Sequence, residues 1–218
     1  MTFQNCNCVY CTHYNGFPIL WRLSRGAIWF EIPKNGSSSI KQKYNLAWTS
    51  RNPPRNILRS KLRPIEDFKL YENIKPYVVL RDPIDRFVSL FNHYFLNGGK
   101  RFHHGTTFCR KLNKDINTMD INARLNFLID NLSELSTEEE VHHFYSQTHF
   151  IDTKSFNDFT LIRLKELSKT LDVPIIGHTP VTDVCDIQLS DKQEQYIKNV
   201  YKNDYKFFDT FNFTVVEK

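Results

Sequence analysis

Ile32-Pro33-Lys34-Asn35-Gly36-Ser37-Ser38-Ser39-Ile40 is the stretch whose reading decides the fold of this chain. An apolar run, Ala27-Ile28-Trp29-Phe30-Glu31-Ile32, leads into it and stops at Pro33, the pattern of a buried strand. Behind it, Ile40, Tyr44, Ala47 and Trp48 recur at i, i+4, i+7 and i+8, the spacing of one helix face. The stretch is thus a strand, a tight turn with one Gly, a run of hydroxyls and a helix. A helix start offers amide N–H groups with no intrahelical partner and the positive end of a dipole. That makes an anion site. Ser37, Ser38 and Ser39 add hydroxyl donors, and Lys34 adds a full positive charge. The nucleoside-triphosphatase loop is ordered differently, Gly-x-x-x-x-Gly-Lys-Ser/Thr, with its Lys late. Here the Lys comes first and the Gly is single. The same residues also read as a plain strand–turn–helix with a Ser cap and a surface Lys.

Working outward, Tyr77-Val78-Val79-Leu80 is a second buried strand, bounded by Pro76 and Asp82-Pro83. Asp82 has the place of an N-cap, with Pro83 at the first helical position. The helix that follows buries Phe87, Leu90, Phe91 and Tyr94 and stops near Gly98-Gly99. Residues 51–64 are Pro-punctuated and irregular, and residues 100–117 read as a basic, polar loop. Thr118 is the expected cap of a helix carrying Ile121, Leu125, Leu128, Ile129 and Leu132. Ser136-x-x-Glu139 and Ser190-x-x-Gln193 are capping boxes. The second opens the last helix, with Ile197, Val200, Tyr201 and Phe208 inward. A third strand is expected over 158–164, with a short helix to Leu171. Strands alternating with helices at these lengths predict an α/β fold with a parallel sheet covered on both faces.

Arg81 follows the second strand, at the carboxyl end where open α/β sheets place ligands. Its guanidinium can take a phosphate in bidentate fashion. Arg86, Ser89 and His93, at i, i+3 and i+7, share a helix face away from the apolar stripe, a polar face open to a ligand. The competing reading pairs Arg81 with Asp85 and leaves Arg86 in solvent.

Composition sets the bounds. The chain has 218 residues, the size of one domain with a small appendage, divided here into an N-terminal Cys-containing segment (1–25) and a main domain (26–218). With 18 Phe and 10 Tyr it can build a large core, which excludes wholesale disorder. A net charge of +5 permits an anionic ligand without demanding nucleic acid. The densest basic stretch, residues 51–69, reads as a solvated face or as a rim that draws in an anionic cofactor or acidic acceptor. No run approaches the about 20 apolar residues of a membrane span, and no secretory leader opens the chain. A soluble, cytoplasmic protein is expected. Five Cys, an odd number, suit free thiols rather than a disulfide framework. Cys6, Cys8, Cys11 and His13 could supply four zinc ligands, but the spacing is too tight for an ordinary finger, so no metal site is expected.

Taken together, Pro33-Lys34-Asn35-Gly36-Ser37-Ser38-Ser39 and Arg81-Asp82-Pro83-Ile84-Asp85-Arg86-Phe87-Val88-Ser89 resemble the 3′-phosphoadenosine 5′-phosphosulfate-dependent sulfotransferases. The likeness is to the carbohydrate branch, the family 2-like enzymes of the Golgi and their soluble bacterial relatives. That branch carries Pro-Lys-x-x-x-Ser/Thr-Ser after its first strand and Arg-Asp-Pro-x-x-Arg-x-x-Ser after a later one. His143-Phe144-Tyr145-Ser146-Gln147 is similar to its His-Trp-x-x-Gln stretch, with Phe144 in place of Trp. Tyr201-Lys202-Asn203-Asp204-Tyr205 is similar to its terminal Tyr-x-x-Asp-Phe/Tyr signature. Lys165 stands where that branch usually has a Glu.

The resemblance implies a three-layer fold like that of the P-loop nucleotide hydrolases, with a central parallel sheet flanked by helices. It implies in-line transfer of a sulfuryl group from 3′-phosphoadenosine 5′-phosphosulfate to a hydroxyl acceptor, a carbohydrate, without a metal. Pro33, Lys34, Asn35, Gly36, Ser37, Ser38 and Ser39 would hold the 5′-phosphosulfate, with Lys34 stabilising the transition state. Arg81 and Ser89 would hold the 3′-phosphate. His143 is the first candidate for general base and His93 the second, with Glu31 as a carboxylate alternative. The rivals are a P-loop-like nucleotide kinase, which needs a late loop Lys, a non-catalytic nucleotide-binding protein, and a zinc-bearing nucleic-acid module.

Overall fold

The structure, a computed structural model, describes residues 19–23, 28–44, 61–62, 76–96, 99, 102–135, 143–151, 160–172 and 187–210. Among these, the strands are β1 (Ile19–Arg22), β2 (Ile28–Glu31), β3 (Lys61–Leu62), β4 (Tyr77–Leu80) and β5 (Thr160–Arg163). The α-helices are α1 (Ser37–Lys43), α2 (Pro83–Tyr94), α3 (Phe102–Lys111), α4 (Ile121–Asp130), α5 (Leu132–Leu135), α6 (Gln147–Phe150), α7 (Leu167–Leu171), α8 (Asp191–Val200) and α9 (Lys202–Thr210). They fall into two compact units, one within 1–81, 147–176 and 210–218, the other within 82–146 and 177–209.

The first unit is built on a mixed sheet of order β3-β1-β2-β4-β5. β2, β4 and β5 are parallel neighbours, while β1 lies antiparallel to both β2 and β3. This corrects the expectation of a parallel sheet. Only residues 23–27 separate β1 from β2, too few for the crossover that a parallel pair requires. The β3 pairing likewise puts order into a stretch read as irregular. The parallel pair β2 and β4 does need a crossover, and α1 opens it.

β2 and β4 are buried on both faces, as central parallel strands are, whereas β5 buries only Ile162 and ends on an exposed Arg163. Alternation puts Trp29, Val79 and Ile162 on one face, where they pack with Leu23, Ile40 of α1 and Leu167 of α7. Glu31, two residues after Trp29, points to that same face and is buried. Its Oε1 lies 2.7 Å from Nζ of Lys41 on α1, so a buried ion pair bolts that helix to the strand.

The second unit is helical around one core. Asp82 caps α2, its Oδ1 accepting from the amides of Ile84 (2.8 Å) and Asp85 (3.2 Å), with Pro83 at the first position as the sequence predicts. Phe87, Leu90, Phe91 and Tyr94 all point inward. The stretch 100–117, expected as a loop, holds α3 instead. Its polar composition hides an inward face of Gly105, Phe108 and Cys109, at helical spacing. Gly105 is needed there, since a Cβ would collide with the carbonyl of Tyr94. Burial pushes the Cys109 thiol up to about 11, so it stays a neutral packing group at neutral pH.

Two boundaries differ from expectation. The cap of α4 is Asp120, which accepts from Ala123 N at 2.7 Å, while Thr118 ends a separate 3₁₀ turn capped by Asp115. The last helix breaks at Tyr201 into α8 and α9, although the Ser190/Gln193 capping box opens α8 as expected. Ser136 and Glu139 lie outside the described residues.

Candidate active site

The loop between β2 and α1 is set by two left-handed residues. Lys34 has φ 69° and Gly36 φ 81°. A left-handed Lys costs about 1–2 kcal/mol and persists only where its surroundings hold it. Here Asn35 N–H closes a turn on Ile32 O (3.3 Å), and Ser37 Oγ donates to the same carbonyl (3.2 Å). The first helical bond runs from Ile40 N to Gly36 O (3.1 Å), so the amides of the first turn precede the helical ladder. No acidic side chain lies in that turn, as suits an anion site. Pro33 is buried, Lys34 and Ser38 are half-buried, and Ser39 is buried.

Gly36 has two constraints at once. Besides its φ, a Cβ would lie 2.7 Å from Leu164 Cδ1 and 3.2 Å from Leu167 Cδ2. Gly36→Ala is expected to lose about 1–2 kcal/mol in chemical denaturation, chiefly from the backbone, because the leucine tips can shift. A loss below about 0.5 kcal/mol would mean that the loop adopts another backbone.

Asn35 points inward from this loop, only 1% exposed. Its Nδ2 donates to Val79 O on β4 (2.8 Å) and to Gln147 Oε1 (2.6 Å). Gln147, fully buried at the start of α6, also pairs with the main chain of Arg81. Its Oε1 accepts from Arg81 N (3.0 Å) and its Nε2 donates to Arg81 O (2.8 Å). The Arg81 guanidinium turns back to the loop, Nη1 lying 3.4 Å from Lys34 O. Two motifs 47 residues apart thus meet in one unit. Glu31, the carboxylate alternative for a base, is committed to Lys41.

The second unit holds the remaining site residues. Ser89 is 7% exposed, and its Oγ has no hydrogen-bond partner among the described residues. A buried hydroxyl in that state is costly unless something not yet present accounts for it. His143 is buried, its Nδ1 2.9 Å from the Tyr94 hydroxyl, and His93 is half-buried with its ring edge-on to Tyr94. The two imidazole centroids are 6.5 Å apart.

Arg86 departs from the expected open polar face. It is 1% exposed, donating from Nη1 to Tyr145 O (2.8 Å) and from Nη2 to His143 O (2.6 Å). The carbonyl between them, Phe144 O, accepts from the Tyr201 hydroxyl (2.9 Å). Burial pushes the Tyr201 phenol well above its ordinary range and so keeps the donor protonated, although the charge of Arg86 pulls the other way. Burial pulls Arg86 below its ordinary value, and the charge of buried Asp204 opposes that. Tyr201 of the terminal signature therefore holds the 143–145 segment directly, while Asp204 of the same signature acts through the charge of Arg86.

Gln147 is the site residue that the motif reading passed over. Its signal was present as the last position of the His143-to-Gln147 stretch, but nothing in spacing says that its amide reaches Arg81. Lys165, at the departure from the family pattern, is exposed on a 3₁₀ turn. Among the described residues, no helix is long and apolar enough to cross a membrane, and no group of three or more His, Cys, Asp or Glu could hold a metal ion. Cys6, Cys8, Cys11 and His13 lie outside the described residues.

The loop that follows β2 and the arginine that follows β4 thus meet beyond the ends of two parallel strands of a mixed α/β sheet. The family model described as the sulfotransferase family matches residues 24–172, and the chain belongs to that family. No curated protein and no solved structure matches it.

Proposed function

We propose that this sulfotransferase uses 3′-phosphoadenosine 5′-phosphosulfate as donor and sulfates a hydroxyl of a carbohydrate, from a cytoplasmic location and on the three-layer fold of the P-loop nucleotide hydrolases. One observation carries the donor reading. The Lys34 loop and Arg81 are brought together by Asn35 and Gln147. The orphaned hydroxyl of Ser89 fits a donor that carries a further phosphate. Bound, the donor supplies an electrophilic sulfur and a phosphate leaving group. The loop amides and Ser38 hold the 5′-phosphosulfate, and Lys34 balances the charge that grows on the bridging oxygen. Arg81 and Ser89 are assigned to the 3′-phosphate on the motif they share. The acceptor oxygen–sulfur bond forms as the sulfur–oxygen bond to phosphate breaks. The hydroxyl proton goes to a histidine, for which His143 and His93 are the candidates. Adenosine 3′,5′-bisphosphate leaves, and no metal takes part.

Calorimetry with adenosine 3′,5′-bisphosphate, with ADP as control, tests the donor. Tight binding of the bisphosphate and weak binding of ADP are expected, with Arg81→Ala losing about 1.5–3 kcal/mol. Equal affinity for the two nucleotides removes the 3′-phosphate subsite and returns the kinase-like reading to the front.

A further inference from the structure

We propose that Gln147 is a positioning residue for donor binding, a latch that fixes the Lys34 loop and Arg81 in the one arrangement that grips the donor. The proposal rests on the donor reading above and adds a residue that neither anion-binding motif contains.

Neither Gln147 nor Asn35 has side-chain surface to offer a ligand, since both are buried. What they offer is connection. β4 ends at Leu80, where its ladder with β5 also ends, at the pair Leu80↔Arg163. Arg81 therefore follows the last residue of β4 that is paired with β5. The Gln147 amide takes both of its main-chain groups, at 3.0 and 2.8 Å, as a neighbouring strand would. Its oxygen then accepts a second donor, Asn35 Nδ2, from the middle of the loop. Asn35 in turn holds Val79 O, one residue before the end of β4. The amide orientations are fixed by this geometry. Turning Gln147 over would set its NH₂ against two other donors, Arg81 N–H and Asn35 Nδ2.

The consequence is mechanical. The left-handed Lys34 lies beside Asn35, and its carbonyl meets the Arg81 guanidinium. A loop released from Asn35 can relax Lys34 into ordinary backbone space. Arg81, released from Gln147, loses the anchor that directs its side chain. Gln147 would thus set affinity for the donor without touching it.

The test is calorimetric binding of adenosine 3′,5′-bisphosphate to the full chain as wild type, Gln147→Glu, Asn35→Ala and Lys43→Ala, at about pH 8 and about pH 6. Melting curves confirm that each variant is folded. Gln147→Glu keeps the accepting oxygen but, when ionised, loses the donor to Arg81 O and sets a charge beside it. It should bind about tenfold or more weakly at the higher pH. Burial raises a carboxyl pKa, so the protonated form, which restores that donor, fills as the pH falls. The deficit relative to wild type should then shrink. Lys43→Ala, which breaks only an exposed ion pair with Asp172, should bind as wild type. A Gln147→Glu chain that binds as wild type at the higher pH, or a deficit that does not change with pH, overturns the latch. If Gln147→Glu does not fold, Asn35→Ala carries the same tenfold expectation, and unchanged affinity there overturns it. A wild type that ignores the bisphosphate overturns the donor reading itself and the latch with it, an outcome distinct from a wild type that binds beside an unaffected variant.

Discussion

Lys34→Ala should lower the rate of sulfuryl transfer about 10²–10³-fold, the range for removing one donor aimed at developing charge. Its affinity for adenosine 3′,5′-bisphosphate should fall much less. The leaving phosphate gains charge only as the sulfur–oxygen bond breaks, so the ammonium does most in the transition state. The backbone provides a control. Lys34 occupies φ 69°, where Lys and Ala are equally strained and Gly is not. Lys34→Gly should therefore melt no lower than Lys34→Ala while losing the same activity. Single-turnover rates at saturating donor measure the chemistry, and melting curves measure the strain. If Lys34→Ala kept its rate to within about twofold, Lys34 would be a loop-shaping residue and the charge would have to be met elsewhere. If Lys34→Gly recovered activity, strain rather than the ammonium would have been what Ala failed to reproduce.

The features legible in the sequence are those whose cause is local. β4 was delimited by Pro76 and by Asp82-Pro83, and the Asp82 cap and the Ser190/Gln193 box follow from the positions of side-chain acceptors ahead of a helix. Where two local signals compete, the nearer acceptor wins. Thr118 and Asp120 are both good caps, but Asp115 claims Thr118 for a separate turn. α3 was hidden because His, Thr and Gly dilute its pattern, while its inward face rests on a Gly that needs its partner helix to be seen as packed. The antiparallel edge was hidden because pairing is a property of two segments and not of one. In the candidate site the loop and Arg81 were legible as residue types that bind anions. The join between them was not. An i, i+3, i+7 pattern says that Arg86, Ser89 and His93 share a face, but not that carbonyls 143 and 145 already occupy the Arg86 end of it.

That occupation makes Arg86 the position where substitution should cost most stability. Arg86→Met keeps the length and apolar stem of the side chain but removes the donors to His143 O and Tyr145 O. It also leaves the charge of fully buried Asp204 without its opposing guanidinium. Two buried carbonyls left without their donor, at about 1–3 kcal/mol each, cost about 2–6 kcal/mol. For a chain of this length, about 2–4 °C per kcal/mol makes that a fall of roughly 4–24 °C in melting temperature. Arg86→Lys should fall between, because an ammonium keeps the charge but lacks the planar fork that reaches two carbonyls at once. The decisive variant is the double one. If Asp204 is costly only because Arg86 has gone, Arg86→Met with Asp204→Asn should be more stable than the sum of the two single losses by about 0.5–3 kcal/mol. Strict additivity would mean that Asp204 is stabilised by other partners. Arg86 would then serve mainly to tie down the segment from His143 to Tyr145, with loss of order in that segment as the consequence of its removal.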